Sequence, residues 1–435
     1  MILRVSTLVR FAVIAVFLVY LAGNLLAAET PFEPVPDAAA IIALALAPLA
    51  FIIARPLADA EIRRFLLLYG GYLFLLLVST LVNGNPYLPT WQSFGLDFAL
   101  DSKPFVFAFL LLVFVPADEL ERFFKTFILL LVAAGVLNLL FIIHDLFSTT
   151  NAYGIPLQQR SGLSVPTGFL NHKTKSAQLQ LIAFIAALSM IRVGNRSRLG
   201  KYVLPVTAAL GLSIAVHLSV KEIGSAIIAV ILFYSLKPGR RIGRAAIFGM
   251  ALTGLAAIAL TFESPVRSAA MNRIDIFLGE RGSRTVRTVA YPVSVDLANG
   301  HFPLGTGAST FMSKGSRDLA YSPYYVQTGI SRLQGGSRRD GGYLMDVFWP
   351  KVLAQAGYFG FFAFLGLIFW PILQALRRMQ TEAGGAIFAS AGIMVSLAIA
   401  SMAAPIYTDD HLLIPFAVAL AYALKIKPVR KKLSI

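Results

Sequence analysis

Long apolar stretches alternate with short polar connections along the chain. Because the hydrocarbon core of a bilayer is about 30 Å thick, a transmembrane helix needs about 20 mainly apolar residues, and about 12 stretches approach that length. The predicted spans are residues 10–28, 38–54, 64–83, 103–116, 123–147, 176–193, 202–219, 222–236, 243–262, 357–376, 383–403 and 411–426. The pattern therefore predicts an all-α polytopic membrane protein whose seventh and eighth helices form a tight hairpin.

One connection is much longer than the others. Residues 263–342 are polar, rich in Gly and Ser, and contain many arginines. Loops longer than about 15 residues in compact proteins are usually functional or disordered. The chain thus divides into helices 1–9 in residues 1–262, a loop region in 263–342, and helices 10–12 with a preceding amphipathic segment in 343–435. The loop is the leading candidate for the working region.

The composition argues against a water-soluble enzyme. Hydrophobic residues make up 57% of the 435-residue chain and charged residues only 14%, whereas soluble domains have about 25% charged residues. The chain has no cysteine. Disulfides, a thiolate nucleophile and cysteine-ligated metals are therefore excluded.

The charged residues are unevenly distributed between the connections. The chain has 38 Lys and Arg against 22 Asp and Glu, a formal net charge of +16. Basic residues concentrate in alternate connections, at residues 4–10, 55–64, 122–125, 192–201, 237–244, 377–378 and 425–432. Because Lys and Arg accumulate on the cytoplasmic side of membrane proteins, both termini are predicted to be cytoplasmic and residues 263–342 extracytoplasmic. Topology explains the positive excess, and no nucleic-acid partner is expected.

The first apolar stretch has a second interpretation. Arg4 and Arg10, the apolar run and Leu26-Ala27-Ala28 also fit a secretory signal with a small-residue cleavage site. Removal of that segment would leave the orientation of the other helices unchanged.

The common motifs of nucleotide and metal enzymes are missing. The sequence has no Gly-x-x-x-x-Gly-Lys phosphate loop and no Asp-x-Asp pair. The histidines lack the spacing of metal ligands; they are His144, His172, His217, His301 and His411. The sequence therefore predicts neither a metal site nor a cofactor.

Several cations are predicted to lie outside, next to membrane spans. Arg160, Lys173 and Lys175 precede the sixth span. His217 and Lys221 are four residues apart, so they share one face if the seventh helix continues through them. Cations close to hydrocarbon are costly and often functional, which predicts an anionic ligand such as a phosphate. The alternative is that each side chain only extends to lipid headgroups.

Four sequence elements carry a family resemblance. They are Arg160-Ser-Gly-Leu-Ser-Val-Pro-Thr-Gly-Phe-Leu-Asn171, Leu218-Ser219-Val220-Lys221, Phe302-Pro303-Leu304-Gly305-Thr306-Gly307 and the segment from Asp346 to Gly360. In this order, and with one large outer loop, they resemble the bacterial O-antigen ligase and O-antigen polymerase superfamily. The likeness covers the fifth to tenth spans, about half of the chain.

The resemblance implies a metal-independent glycosyltransferase in the bacterial cytoplasmic (inner) membrane, with its active face extracytoplasmic. It would move a glycan from an undecaprenyl pyrophosphate carrier to an acceptor glycan or glycolipid, in contact with the lipid bilayer and with polysaccharide assembly proteins. The pyrophosphate donor is already activated, so no cofactor is needed. Cations would stabilise the leaving pyrophosphate, and a base would deprotonate the acceptor hydroxyl.

The sequence departs from the family pattern at the base. Asp346 stands where the catalytic histidine of the family is expected, and Gln355 replaces its glutamate. Asp346 is therefore the predicted base, with Asp340 as the nearby rival. Alternatively, Asp346 only orients the helix that follows it.

Two arginines of the long loop complete the predicted clamp on pyrophosphate. Arg284 and Arg287 lie where arginine is common in the family, and guanidinium binds phosphate with two hydrogen bonds. Together with Arg281 they recur every three residues, which also fits one solvated helical face. The predicted ligand-binding set is Arg160, Lys173, Lys221, His217, Arg284 and Arg287.

Different activities fit the resemblance. Because the family histidine is prominent in ligases, its replacement favours a polymerase of O-antigen, capsule or exopolysaccharide over a ligase that transfers glycan to the lipid A core of lipopolysaccharide. A transporter or flippase of a lipid-linked sugar would place charged residues in two related halves, whereas these candidates cluster in spans five to ten. A non-enzymatic scaffold is the remaining alternative.

Overall fold

The computed structural model describes most of the chain, in eleven segments. These are residues 5–26, 35–54, 59–83, 91–160, 163–193, 200–217, 219–235, 285–381, 384–402, 404–407 and 410–425. The predicted ninth span, residues 243–262, and the first part of the long loop, residues 263–284, lie outside them.

The described part is almost entirely helical. The long helices are α1 (Val5–Leu26), α2 (Val35–Ala54), α3 (Ala60–Asn83), α4 (Trp91–Phe114), α5 (Ala117–Leu146), α6 (Lys173–Val193), α7 (Gly200–Val216), α8 (Val220–Ser235), α9 (Val286–Gly300), α11 (Trp349–Thr381), α12 (Gly385–Ala400) and α13 (Asp410–Lys425). The smaller elements are a hairpin of β1 (Gln159–Arg160) and β2 (Leu163–Ser164), the short helix α10 (Pro323–Gln327), 3₁₀ turns at Gly168–Leu170 and Ile330–Arg332, and a π-helical turn at Gly315–Leu319.

The helices confirm an all-α membrane protein. Among the described residues, 6 helices are long and apolar enough to cross a membrane: α1, α2, α3, α5, α6 and α11. The helix α6 packs against α5, α7, α8 and α12 and is the most buried of the six. It therefore forms the centre of the bundle.

The fourth helix is longer than hydropathy predicts. It begins at Trp91 rather than at residue 103, and its first turns carry Asp97 and Asp101. Both carboxylates are buried and have partners: Asp101 Oδ1 accepts a hydrogen bond from Lys351 over 2.6 Å, and Asp97 Oδ1 accepts one from the Gly315 N–H over 3.0 Å. Paired charges are tolerated inside a bundle, although a hydropathy window scores them as exposed to lipid.

Contacts at one end of the bundle join helix ends that the sequence predicts to be cytoplasmic. Arg10 at the start of α1 forms an ion pair with Glu119 at the start of α5, at 3.1 Å. The guanidinium of Arg378 near the end of α11 donates to the Ala423 carbonyl oxygen near the end of α13, at 2.6 Å. The alternation of charge along the sequence thus agrees with the packing of the helices.

The later part of the predicted loop, together with the residues that follow it, is a folded unit at the opposite end of the bundle. Residues 285–348, here named the lobe, contain α9, the π-helical turn and α10 around an apolar core. This core includes the buried side chains Val286, Leu297, Phe311 and Tyr325. The end of the bundle that carries the lobe is called the lobe end below.

The lobe is fixed to α11 through glycines. The N–H groups of Thr306 and Gly307 donate to the carbonyl oxygens of Ala354 and Gln355, at 2.8 and 3.0 Å. Gly357 has φ 63° and ψ −168°, which interrupts α11 at this contact. The predicted tenth span begins at residue 357, whereas the helix begins at Trp349 and continues beyond this kink.

Candidate functional site

Two predicted site residues form an ion pair on the lobe. Arg287, in the first turn of α9, donates from Nε to Asp346 Oδ2 over 2.8 Å, and its Nη2 donates to the same oxygen. The ring of Tyr343 lies against the guanidinium, with its centroid 4.5 Å from Arg287 Cζ. Both charged side chains remain partly exposed. In the part of the chain that the structure describes, no hydrogen bond reaches Asp346 Oδ1.

Four charged side chains act on the ring of His172. Desolvation by the surrounding chain lowers the pKa of this histidine to about 4. The positive charges of Lys175, Lys173 and Lys221 act in the same direction, whereas the Asp346 carboxylate opposes them. With its pKa at about 4, the ring is uncharged at neutral pH. Charges from three separate parts of the sequence thus act on one ring at the lobe end.

Polar side chains of α5 position the turn before His172. Asp145 Oδ2 accepts hydrogen bonds from the N–H groups of Thr167 and Gly168, at 2.8 and 3.0 Å. Asn138 Oδ1 accepts one from the Phe169 N–H at 3.2 Å. Sequence reasoning missed Asp145 and Asn138. Each of them is a polar residue within an otherwise apolar predicted span, and this feature of the sequence could have identified them.

The remaining predicted cations have different surroundings. Lys173 donates to Gln158 Oε1, and Lys221 Nζ lies 3.6 Å from the buried carboxylate of Glu222. The backbone of Arg160 pairs with Leu163 in the hairpin, but its side chain lies outside the described part. Arg284 lies outside the described residues altogether. No position relative to the ion pair is therefore assigned to these two arginines.

One premise about His217 is wrong. The helix α7 ends at Val216 and α8 begins at Val220, so His217 and Lys221 do not share a continuous helical face. The side chain of His217 is buried. Its Nδ1 lies 2.7 Å from the Ser213 carbonyl oxygen, and its Nε2 lies 3.0 Å from Ser176 Oγ. With Nδ1–H as the donor, a neutral imidazole satisfies both contacts.

We expect His217→Ala to lower the stability of the fold. The substitution leaves the buried Ser176 hydroxyl without one partner and opens a cavity, and an unsatisfied buried group costs about 1–3 kcal/mol. The apparent melting temperature of the purified protein in detergent should therefore fall. His144→Ala is the control, because that side chain is 52% exposed at the end of α5. An unchanged melting temperature for His217→Ala would show that the hydrogen bonds of this side chain do not stabilise the fold.

The two candidate bases have different environments. Asp340 is exposed on a turn of the lobe, where its N–H donates to Ser337 Oγ over 2.9 Å. Asp346 is held by Arg287, and its negative charge opposes the effect of the three lysines on the ring of His172. Gln355, the predicted replacement for a glutamate, is buried and donates from Nε2 to the Phe311 carbonyl oxygen over 2.6 Å. Its role here is to attach the lobe to α11.

A second set of buried charged residues lies where the lobe contacts α4 and α11. Lys351 pairs with Asp101, and Asp97 accepts hydrogen bonds from Ser309 and Gly315. A small cavity of about 30 Å³ lies between these residues and the lobe, with Lys314 at its wall. This volume is room for about two water molecules. These contacts join α4 to α11 and to the lobe.

No protein-family model matches the chain, and no curated protein matches it. Chemically, the site combines the Arg287–Asp346 pair with lysines at one end of a membrane bundle, where Lys221 also lies beside the carboxylate of Glu222. Within the described residues, no group of three or more His, Asp or Glu side chains has the geometry of a metal site. The arrangement suits a ligand with concentrated negative charge and a reaction that needs one proton acceptor.

Proposed function

We propose that the protein is a membrane glycosyltransferase that takes its glycan from a polyprenyl pyrophosphate carrier, such as undecaprenyl pyrophosphate. One observation carries the proposal: Arg287 pairs with Asp346 on the lobe, and the charges of Asp346 and Lys221 both act on the ring of His172 at the same end of the bundle. Cations at the end of a membrane bundle are suited to bind the phosphates of a lipid carrier. We favour a polymerase of a surface polysaccharide.

The proposed topology has about 12 membrane spans with both termini in the cytoplasm. The lobe end then faces the extracytoplasmic side of the bacterial inner membrane. Support comes from the positive connections at the opposite end, where the Arg10–Glu119 and Arg378–Ala423 contacts lie. A lipid-linked glycan already on the outer surface would reach the site without crossing the membrane.

The proposed reaction is a displacement at the anomeric carbon. The acceptor hydroxyl forms the new C–O bond, the bond from the anomeric carbon to the pyrophosphate oxygen breaks, and the acceptor proton passes to Asp346. Arg287, Lys173 and Lys221 stabilise the negative charge that develops on the leaving pyrophosphate. Because Arg287 holds Oδ2 of Asp346, Oδ1 is the oxygen that takes the proton. Arg160 and Arg284 are proposed as further phosphate ligands on the family resemblance alone.

The test is elongation by the purified protein. Reconstituted into vesicles with a lipid-linked repeat unit, the protein should form a ladder of longer glycans without a lipid A acceptor and in the presence of EDTA. Product that appears only when lipid A core is added would identify a ligase instead. Movement of the lipid-linked sugar between leaflets without any new glycosidic bond would identify a transporter and contradict the proposal.

A further inference from the structure

A stripe of exposed apolar side chains marks the lipid-facing side of α11. Phe359, Phe362, Phe369 and Leu373 are all exposed along one side, and the exposed Arg377 follows them. At 1.5 Å per residue, the distance from Phe359 to Arg377 is about 27 Å. This is close to the thickness of the hydrocarbon core, about 30 Å. Phe359 therefore marks the edge of the hydrocarbon on the side of the lobe.

Exposed apolar side chains of the lobe adjoin the top of that stripe. The side chain of Phe302, directly after α9, is 67% exposed, and its ring centroid lies 6.5 Å from that of Phe359. On α9 itself, the hydroxyl of Tyr291 donates to the Met402 carbonyl oxygen over 2.6 Å. Met402 is exposed beyond the end of α12. The apolar surface of the lobe is thus continuous with the lipid-facing surface of the bundle.

The exposed side of α9 has one apolar edge and one polar edge. Tyr291 and Val295 are exposed on one edge, and Asp296 is exposed about 100° further around the helix. The opposite side packs into the lobe core through Val293 and Leu297. A helix that lies in the membrane interface has this division between an apolar edge and a charged edge.

We infer that α9 lies along the membrane interface at the lobe end, with Val295 and Phe302 among the lipid acyl chains and Asp296 in water. The occupant of the apolar surface is the lipid bilayer, because the surface continues the lipid-facing stripe of α11 at the depth where the hydrocarbon ends. Arg287, in the first turn of α9, is then held at the depth of lipid headgroups. At that depth, the guanidinium of Arg287 would be level with the pyrophosphate of a lipid carrier. Only this link to a carrier rests on the proposed function.

The natural lack of cysteine makes a direct test simple. Three variants, V295C, D296C and F302C, are labelled with a nitroxide and reconstituted into phosphatidylcholine–phosphatidylglycerol vesicles. Electron paramagnetic resonance power saturation then compares collisions with oxygen, which concentrates in lipid, and with a water-soluble nickel chelate. We expect oxygen collisions to exceed nickel collisions several-fold at positions 295 and 302, and the reverse at position 296.

The outcomes separate lipid from the other possible environments. Dominant nickel collisions at all three positions would show that the lobe stands in water, and would overturn the inference. Exclusion of both reagents at positions 295 and 302 would show that protein, such as a second copy of the chain, covers the surface, and would overturn it as well. The neighbouring positions 295 and 296 decide the question even where F302C fails to fold. Because no glycan transfer is measured, the result is independent of the proposed function.

Discussion

Asp346→Asn should reduce the rate of glycan transfer by about 100- to 10,000-fold at saturating donor, which is the usual contribution of a general base. Asparagine has nearly the same shape as aspartate, and its carbonyl oxygen still accepts the hydrogen bonds of Arg287. It has no lone pair basic enough to take a proton from a hydroxyl. The loss should therefore fall on kcat, with little change in the KM for the lipid-linked donor. The measurement is the initial rate of elongation by protein in vesicles.

Asp340→Asn is the matched control for this substitution. It makes the same chemical change on the same lobe, but Asp340 is exposed and forms no ion pair with another described residue. Its elongation rate should equal that of the unmodified protein. A large loss for Asp340→Asn together with near-normal activity for Asp346→Asn would reverse the assignment of the base. Full activity of both variants would show that neither aspartate is the base and that the contact between Arg287 and Asp346 is structural.

Among the described residues, each predicted apolar span overlaps a helix, because a span needs enough consecutive apolar residues to fill the hydrocarbon thickness. The prediction was least accurate for α4, where the predicted start at residue 103 missed the turns from Trp91 onwards. Those turns can be buried because Lys351 pairs with Asp101 and the lobe donates hydrogen bonds to Asp97. The partners come from residues more than 200 positions away, as the separation of 250 between Asp101 and Lys351 illustrates. No local window of sequence contains that information.

The sequence supplied the candidate residues of the site but not the pairing between them. Arg287 and Asp346 were both candidates because of their positions in the family resemblance. That they hold each other depends on α9 folding back onto the segment before α11. His217 was a candidate for its position beside Lys221, and burial with Ser176 gives it a structural role instead. The spacing of four residues between His217 and Lys221 would place them on one face only within a continuous helix, and α7 ends at Val216.

Gly305→Ala should destabilise the protein more than any other single change considered for the lobe. Gly305 has φ +75°, and an alanine at such a backbone angle costs about 1–3 kcal/mol. A Cβ at this position would also lie 2.5 Å from the Ala354 carbonyl oxygen and 2.9 Å from the Gln355 carbonyl carbon. These are backbone atoms that cannot rotate away, so the lobe must shift from α11 at a further cost of about 1–3 kcal/mol. The measurement is the apparent melting temperature in detergent.

Gly329→Ala separates the two causes. Gly329 has the same φ of +75°, but a Cβ there would have no atom within 4 Å. It should show only the backbone penalty, so the melting temperature of Gly305→Ala should be clearly the lower of the two. Because the contact at Gly305 also fixes the segment that carries Asp346, the same variant should lose glycan transfer even below its melting temperature, whereas Gly329→Ala should retain it. Equal melting temperatures would show that the lobe does not pack on α11 through this glycine.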